Sequence, residues 1–237
     1  MIDGLLFCSI VFFAGLVRGV CGFALGLLGV SFLTNLIDFH VAIALIALLQ
    51  PIATSILLFH YRQSFNFQEV IPIAICSFIA VPLGVIASDK IDDRLVLDLL
   101  GFIIIFYALY SWFTPRLPEV KAPGWGYFAG LTSGFFSGAY NSCGPPLIMY
   151  ANSSQWDPQE FKSNIQGVRI FSMILAVVAH GFNHDLTSEV WKLLIPGIPS
   201  VCLGVGAGIF LSKYLNPEIF QKVVLVLLLV MGVKMFF

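Results

Sequence analysis

Charge is scarce in this sequence: 11% of its 237 residues are Asp, Glu, Lys or Arg, against about 25% in an ordinary soluble domain. Hydrophobic residues make up 59% and the mean hydropathy is +0.95. A single core of this size could not hide so much apolar surface, so lipid has to be the solvent for much of it. Neither sign dominates, with 12 Lys and Arg against 13 Asp and Glu. That balance lacks the basic footprint of nucleic-acid binding. No basic residue precedes the first apolar run after Met1-Ile2-Asp3-Gly4, so this segment is expected to stay in the protein rather than leave as a secretory signal. The five cysteines, Cys8, Cys21, Cys76, Cys143 and Cys202, are odd in number and form no CxxC pair, which speaks against a zinc or dithiol site. Neither HExxH nor GxSxG occurs. An intramembrane enzyme would need a nucleophile–base pair or a metal constellation. No catalytic residue, metal site or cofactor is therefore expected.

What is present is a series of long apolar runs. Turn residues and charges divide the chain into eight apolar stretches. Six of them, Val41–Phe59, Val70–Ser88, Leu95–Phe113, Ile165–Phe182, Val190–Leu211 and Ile219–Phe237, are close to the ~20 residues that cross a bilayer. The other two are too long. Between Asp3 and Asp38 lie 34 residues with one charge, Arg18, and between Lys121 and Asp157 lie 35 with none. A continuous helix of that length would reach about 50 Å, against an apolar core of ~30 Å. Both carry central glycines, so each is expected to be broken or re-entrant.

The two long stretches match. Phe13-Ala14-Gly15-Leu16 aligns with Phe128-Ala129-Gly130-Leu131 at an offset of 115. Glu69-Val70 aligns with Glu189-Val190, and Leu83-Gly84-Val85 with Leu203-Gly204-Val205, at an offset of 120. The expectation is an all-α polytopic membrane protein of two internal repeats, residues 1–115 and 126–237, joined by a linker at 116–125. Each repeat would hold one broken segment and three spans. Interrupted helices at corresponding positions of two halves are a pointer to a transporter binding site.

The segment Tyr140-Asn141-Ser142-Cys143-Gly144-Pro145-Pro146 carries the clearest break. Asn141 or Ser142 can cap a helix, and proline suits a first helical position. A half-helix starting near Pro145 would present free N–H groups and a positive dipole end to an anion. The bland alternative is a structural kink. Arg18 and Arg169 are the charges placed inside apolar stretches, where an arginine costs ~2.5–3.5 kcal/mol on the lenient insertion scale. Each should face a partner, a wet cavity or a substrate, or else snorkel. Gln166 and Lys162 precede Arg169 by three and seven residues and share its face. No Asp or Glu sits at mid-depth in the fourth to eighth stretches. Arg18 approaches Asp3 or Asp38 only if the chain folds back. Gln50, beside Pro51 in mid-span, is either a ligand donor or the group that satisfies a proline kink. His180 and His184 flank an expected helix end at Gly181, and Asp98 reads as interfacial. Trp112, Trp125, Trp156, Trp191 and Tyr150 suit a membrane interface.

These residues carry a resemblance. Gly19-Val20-Cys21-Gly22-Phe23 and Cys143-Gly144-Pro145-Pro146-Leu147-Ile148-Met149-Tyr150 resemble the two glycine-rich motifs of the sulfite exporter TauE/SafE family of permeases. Trp156-Asp157 and Phe161-Lys162 continue the pattern. Cys143 stands where that family usually has glycine, and Ser31 where its first half usually has proline, so the second half is the stronger match. The resemblance implies transport of sulfite, an organosulfonate or a related organic acid.

The reading is thus a multi-pass transporter of the cell membrane for a small anion. Asn141, Ser142, Cys143, Gly144 and Pro145 would form its site together with Arg169, Gln166, Gln50 and Arg18. The bilayer and the anion are the expected partners, nucleic acid is not, and a homo-oligomer is compatible with this reading. A non-catalytic membrane scaffold is the rival reading. It leaves Arg169 and the Gly-Pro-Pro break without a purpose.

Overall fold

The computed structural model describes residues 4–90, 93–114, 124–140, 144–154, 156, 158–182, 185–214 and single positions between 222 and 236. The described residues are mostly helical, and none of them forms a strand. The elements are α1 (Gly4–Cys21), α2 (Leu25–Leu33), α3 (Phe39–Tyr61), a 3-10 turn at Arg62–Ser64, α4 (Phe67–Lys90), α5 (Asp93–Phe113), α6 (Trp125–Tyr140), α7 (Gly144–Ser153), α8 (Pro158–Phe182) and α9 (Ser188–Leu211). Five helices, α1, α3, α4, α8 and α9, are long and apolar enough to cross a membrane, and α5 adds the shorter apolar run Gly101–Phe113. Their outer faces stay apolar: Ile71, Ile75, Phe78 and Leu83 on α4, Phe102 and Phe106 on α5, Ile195 and Leu203 on α9 are all exposed. Patches of this extent are not left open to water. The protein is an integral membrane protein, and lipid covers these faces.

The first long stretch is two helices. After α1, Gly22 takes φ 84° and its N–H donates to the Arg18 carbonyl at 2.6 Å. Ala24 follows with φ 85°, a left-handed conformation that costs a non-glycine residue about 1 kcal/mol or more. Ala24 is buried, so packing holds it there. Asp38 then caps α3, its carboxylate accepting from His40 N–H at 2.9 Å and Val41 N–H at 3.4 Å. The second long stretch is described as α6, ending at Tyr140, and α7, starting at Gly144; residues 141–143 lie outside the described residues.

Two expected boundaries move. Helix α8 begins at Pro158, not at Ile165, because proline fits a first helical position and Glu160 suits the positive first turn. Of the expected linker only Gly124 and Trp125 are described, and Trp125 already belongs to α6. The last expected span, Ile219–Phe237, lies largely outside the described residues. At its helical Gly232 an added Cβ would stand 3.1 Å from the Gly101 carbonyl on α5.

Glycine contacts give the helix directions. Gly15 faces Val201 and Val205, while Gly19 faces Val205 and Gly208, so α1 and α9 run parallel. Gly130, Gly134 and Gly138 face Ile73, Ser77 and Val81 in turn, so α4 and α6 are also parallel. Helix α8 opposes α3, since Lys162 meets Tyr61 and Arg169 meets Gln50. Helix α9 follows α8 after a short turn, so α1 and α3 point the same way. Arg18, near the end of α1, bonds Gln50 and Thr54 in the middle of α3. Helix α1 therefore ends beside the middle of α3, and α2 leads the chain back toward the end where α3 begins. The Ser77 and Ser172 hydroxyls, 2.7 Å apart, join α4 to α8 inside the bundle.

These close contacts are testable. A Cβ at Gly84 would stand 2.1 Å from the Phe135 carbonyl oxygen, whereas one at Gly206 meets nothing within 4 Å. Gly84→Ala should lower the melting temperature of the detergent-solubilised protein by several degrees, through overpacking of about 1–3 kcal/mol. Gly206→Ala should leave it unchanged or raise it slightly, since alanine is the better helix former by about 1 kcal/mol.

Candidate functional site

Two arginines meet inside the bundle. Arg18 has no exposed surface and Arg169 has 2%, yet both guanidinium groups reach the same atom. Arg18 Nη1 donates to Gln50 Oε1 at 2.9 Å, and Arg169 Nη2 donates to that same oxygen. Arg18 Nη2 donates to Thr54 Oγ1 and, at 3.0 Å, to Gln166 Oε1. The other end of Gln166 is used as well: its Nε2 donates to the Gly22 carbonyl at 2.7 Å, at the bend between α1 and α2. The Thr54 hydroxyl also lies 3.2 Å from the Met173 sulfur.

Sequence accounts for each position. Gln50 and Thr54 are four apart on α3 and so share a face, as do Gln166, Arg169 and Met173 on α8. Arg18 lies in the last turn of α1, where the helix dipole favours a cation. The break at Gly22 exposes a carbonyl, and Gln166 satisfies it. Pro51 leaves the carbonyl of Ala47 without its usual helical donor, a second interruption beside the same cluster.

The acceptors named here, Gln50, Thr54 and Gln166, are neutral. A neutral oxygen orients a guanidinium without cancelling its charge. Two hydrogen bonds of ~3 Å to one oxygen put the cationic groups within about 6 Å of each other. At an effective dielectric of ~20 their repulsion is about 3 kcal/mol. An oxyanion placed between them would turn that cost into attraction. The planar forks suit bidentate binding of carboxylate-like or sulfonate-like groups.

Expectation and observation can be set side by side. Arg18, Gln50, Gln166 and Arg169 are brought together. Arg18 bonds Gln50, Thr54 and Gln166, because the break stops α1 beside mid-α3; Asp3, one of its expected partners, lies outside the described residues. Lys162 keeps to the face of Gln166 and Arg169 but reaches outward, with its Nζ 3.4 Å from the Tyr61 hydroxyl and 5.1 Å from the ring centre. Asn141, Ser142 and Cys143 lie outside the described residues. Gly144 and Pro145 open α7, which packs against α6, α8 and α5. Thr54 and Met173 were not singled out, although each lies four residues beyond a residue that was. His180, two residues before the end of α8, is buried, with its Nδ1 2.7 Å from Asp185 Oδ2; His184 lies outside the described residues. Asp98 forms a half-exposed pair with Arg94 at 3.5 Å.

A family model, that of the sulfite exporter TauE/SafE family, matches residues 7–235. The chain belongs to the sulfite exporter TauE/SafE family. No curated protein and no solved structure matches it. Membership makes the chain a membrane transporter of the exporter type and gives the polar cluster a setting.

Gln166→Leu tests whether the amide holds the cluster together. It should lower unfolding stability by about 2–4 kcal/mol, since a buried guanidinium and the Gly22 carbonyl each lose a partner. Tyr61→Phe removes only the long contact to Lys162 and should change stability by less than about 0.5 kcal/mol. Thermal unfolding in detergent reads both.

Proposed function

We propose that this protein exports a small oxyanion, namely sulfite, an organosulfonate or a related organic acid, across the cell membrane through the site between Arg18 and Arg169. The observation that carries the proposal is the convergence of both guanidinium groups on Gln50 Oε1. Buried arginines in a transporter lie on the substrate path more readily than on a purely structural seam. An interior-negative potential drives an anion outward by ~2.3 kcal/mol per charge per 100 mV, so export needs no coupled cation on energetic grounds. Asn141, Ser142, Cys143 and the start of α7 at Gly144 and Pro145 would complete the site.

The proposal includes two inverted repeats, supported by a correspondence of contacts. Gly84 packs on the Phe135 carbonyl and the Ala139 N–H, while Gly204 packs on the Phe12 carbonyl and the Leu16 N–H. Gly138 faces Val81 and Val85 as Gly15 faces Val201 and Val205. The matching register thus pairs Gly15 with Gly138, about two turns beyond the Gly130 that motif alignment suggests. On the central helices, Gln50 meets Arg169 and Thr54 meets Met173, both pairs 119 residues apart. Equivalent positions that touch each other lie on an axis of pseudo-symmetry, and because α3 and α8 are antiparallel that axis lies in the membrane plane. Binding at the interface of inverted halves is how alternating access is built.

Proteoliposome flux tests the function. Wild-type protein should carry sulfite or a small sulfonate above the rate of empty vesicles. Arg169→Ala should lower flux about 10- to 100-fold, the value of one or two charge-assisted hydrogen bonds. Arg169→Lys should restore only part of the loss, because lysine keeps the charge without the fork. A well-folded Arg169→Ala protein with wild-type flux would remove this site from the path.

A further inference from the structure

Gln50 sits at a point where both cations converge. Its Oε1 accepts from Arg18 and from Arg169, and the residue has no exposed surface. An oxyanion bridging the two guanidinium groups would place an oxygen at this position, and its bonds would be stronger because the acceptor carries charge. The next residue is Pro51, so α3 lacks a helical hydrogen bond at this level and is easier to deform there. Arg18 keeps Thr54 and Gln166 as further acceptors, so losing Gln50 does not set it loose.

We propose that Gln50 is an internal stand-in for the transported anion: its amide oxygen bridges Arg18 and Arg169 between transport events, and the substrate oxyanion displaces it. This rests on the reading of the cluster as the anion site. Gln50 then competes with the substrate instead of contributing to its binding. That is the opposite of what a polar side chain beside a ligand ordinarily does. A carboxylate at this position would be a competitor that never leaves.

Three purified full-length proteins, wild type, Gln50→Ala and Gln50→Glu, are compared in detergent at constant ionic strength. Low-millimolar sulfite or methanesulfonate is added, melting temperature is read, and the same proteins are tested for flux in vesicles. The bound anion should raise the wild-type melting temperature by roughly 3–8 °C at saturation. Gln50→Ala should reach half its maximal shift at several-fold lower anion concentration. Gln50→Glu should melt at or above the wild-type temperature, show no anion-dependent shift, and carry no flux. A Gln50→Glu protein that responds to anion and transports as wild type does would overturn the proposal, even if Gln50→Ala fails to fold. Weaker anion binding by a folded Gln50→Ala protein would overturn it too, making Gln50 a direct ligand. If neither anion shifts wild type or Gln50→Ala, the anion site itself is wrong and the stand-in falls with it.

Discussion

Everything central in this bundle follows from the cost of holding two guanidinium groups at mid-depth. The bilayer offers no water to solvate them, and the polar groups within reach must be supplied by the chain itself. Gln50, Thr54 and Gln166 do so from α3 and α8. Helix α1 stops at Cys21 so that Arg18 can face α3, and Gln166 takes the carbonyl that the stop leaves open. The break and the cation are one construction. A straight helix through Gly22 would carry the chain onward past the centre and leave no second helix, α2, to return it.

Glycine makes that construction stable. An intramembrane helix pair gains nothing from the hydrophobic effect and depends on close packing. Gly15 and Gly19 on α1, with Gly204 and Gly208 on α9, let the two backbones touch, and Gly130, Gly134 and Gly138 do the same for α6 against α4. These contacts hold the short first helices rigidly against long ones. The half-helices α2 and α7 are too short to cross a membrane and need such a frame.

Much of this was legible in the sequence, for reasons that also mark its limits. The membrane class follows from hydropathy, and the broken first segment from a length no bilayer could accommodate. Arg18, Gln50, Gln166 and Arg169 stood out because polar residues are conspicuous in apolar runs. Their meeting was not legible, since Arg18 and Gln166 are 148 residues apart and hydropathy says nothing about which helices are neighbours. Thr54 went unnoticed because a threonine in a span can satisfy itself on its own helix carbonyl, and Met173 because it reads as ordinary lipid-phase filling. The glycine motif alignment pairs Gly15 with Gly130, whereas the contacts of the proposed repeats pair it with Gly138. Repeated Phe-Ala-Gly-Leu letters match readily in a glycine-rich helix, whereas the backbone contacts of Gly84 and Gly204 discriminate.

The neutrality of the acceptors bears on transport itself. A carboxylate placed beside each arginine would stabilise the fold more strongly, since charge-assisted bonds are worth roughly twice neutral ones. It would also hold the cations so firmly that a passing anion could not compete. In the proposed reading, the amide and hydroxyl oxygens of Gln50, Thr54 and Gln166 help to order the guanidinium forks, and an anion would gain by replacing one of them. Passage requires binding strong enough to enter and weak enough to leave. Lys162, seven residues from Arg169 on the same face and stacked over Tyr61, extends the positive potential toward one end of α8. In the proposed reading, an anion reaching the cluster from that end would meet Lys162 before Arg18 and Arg169.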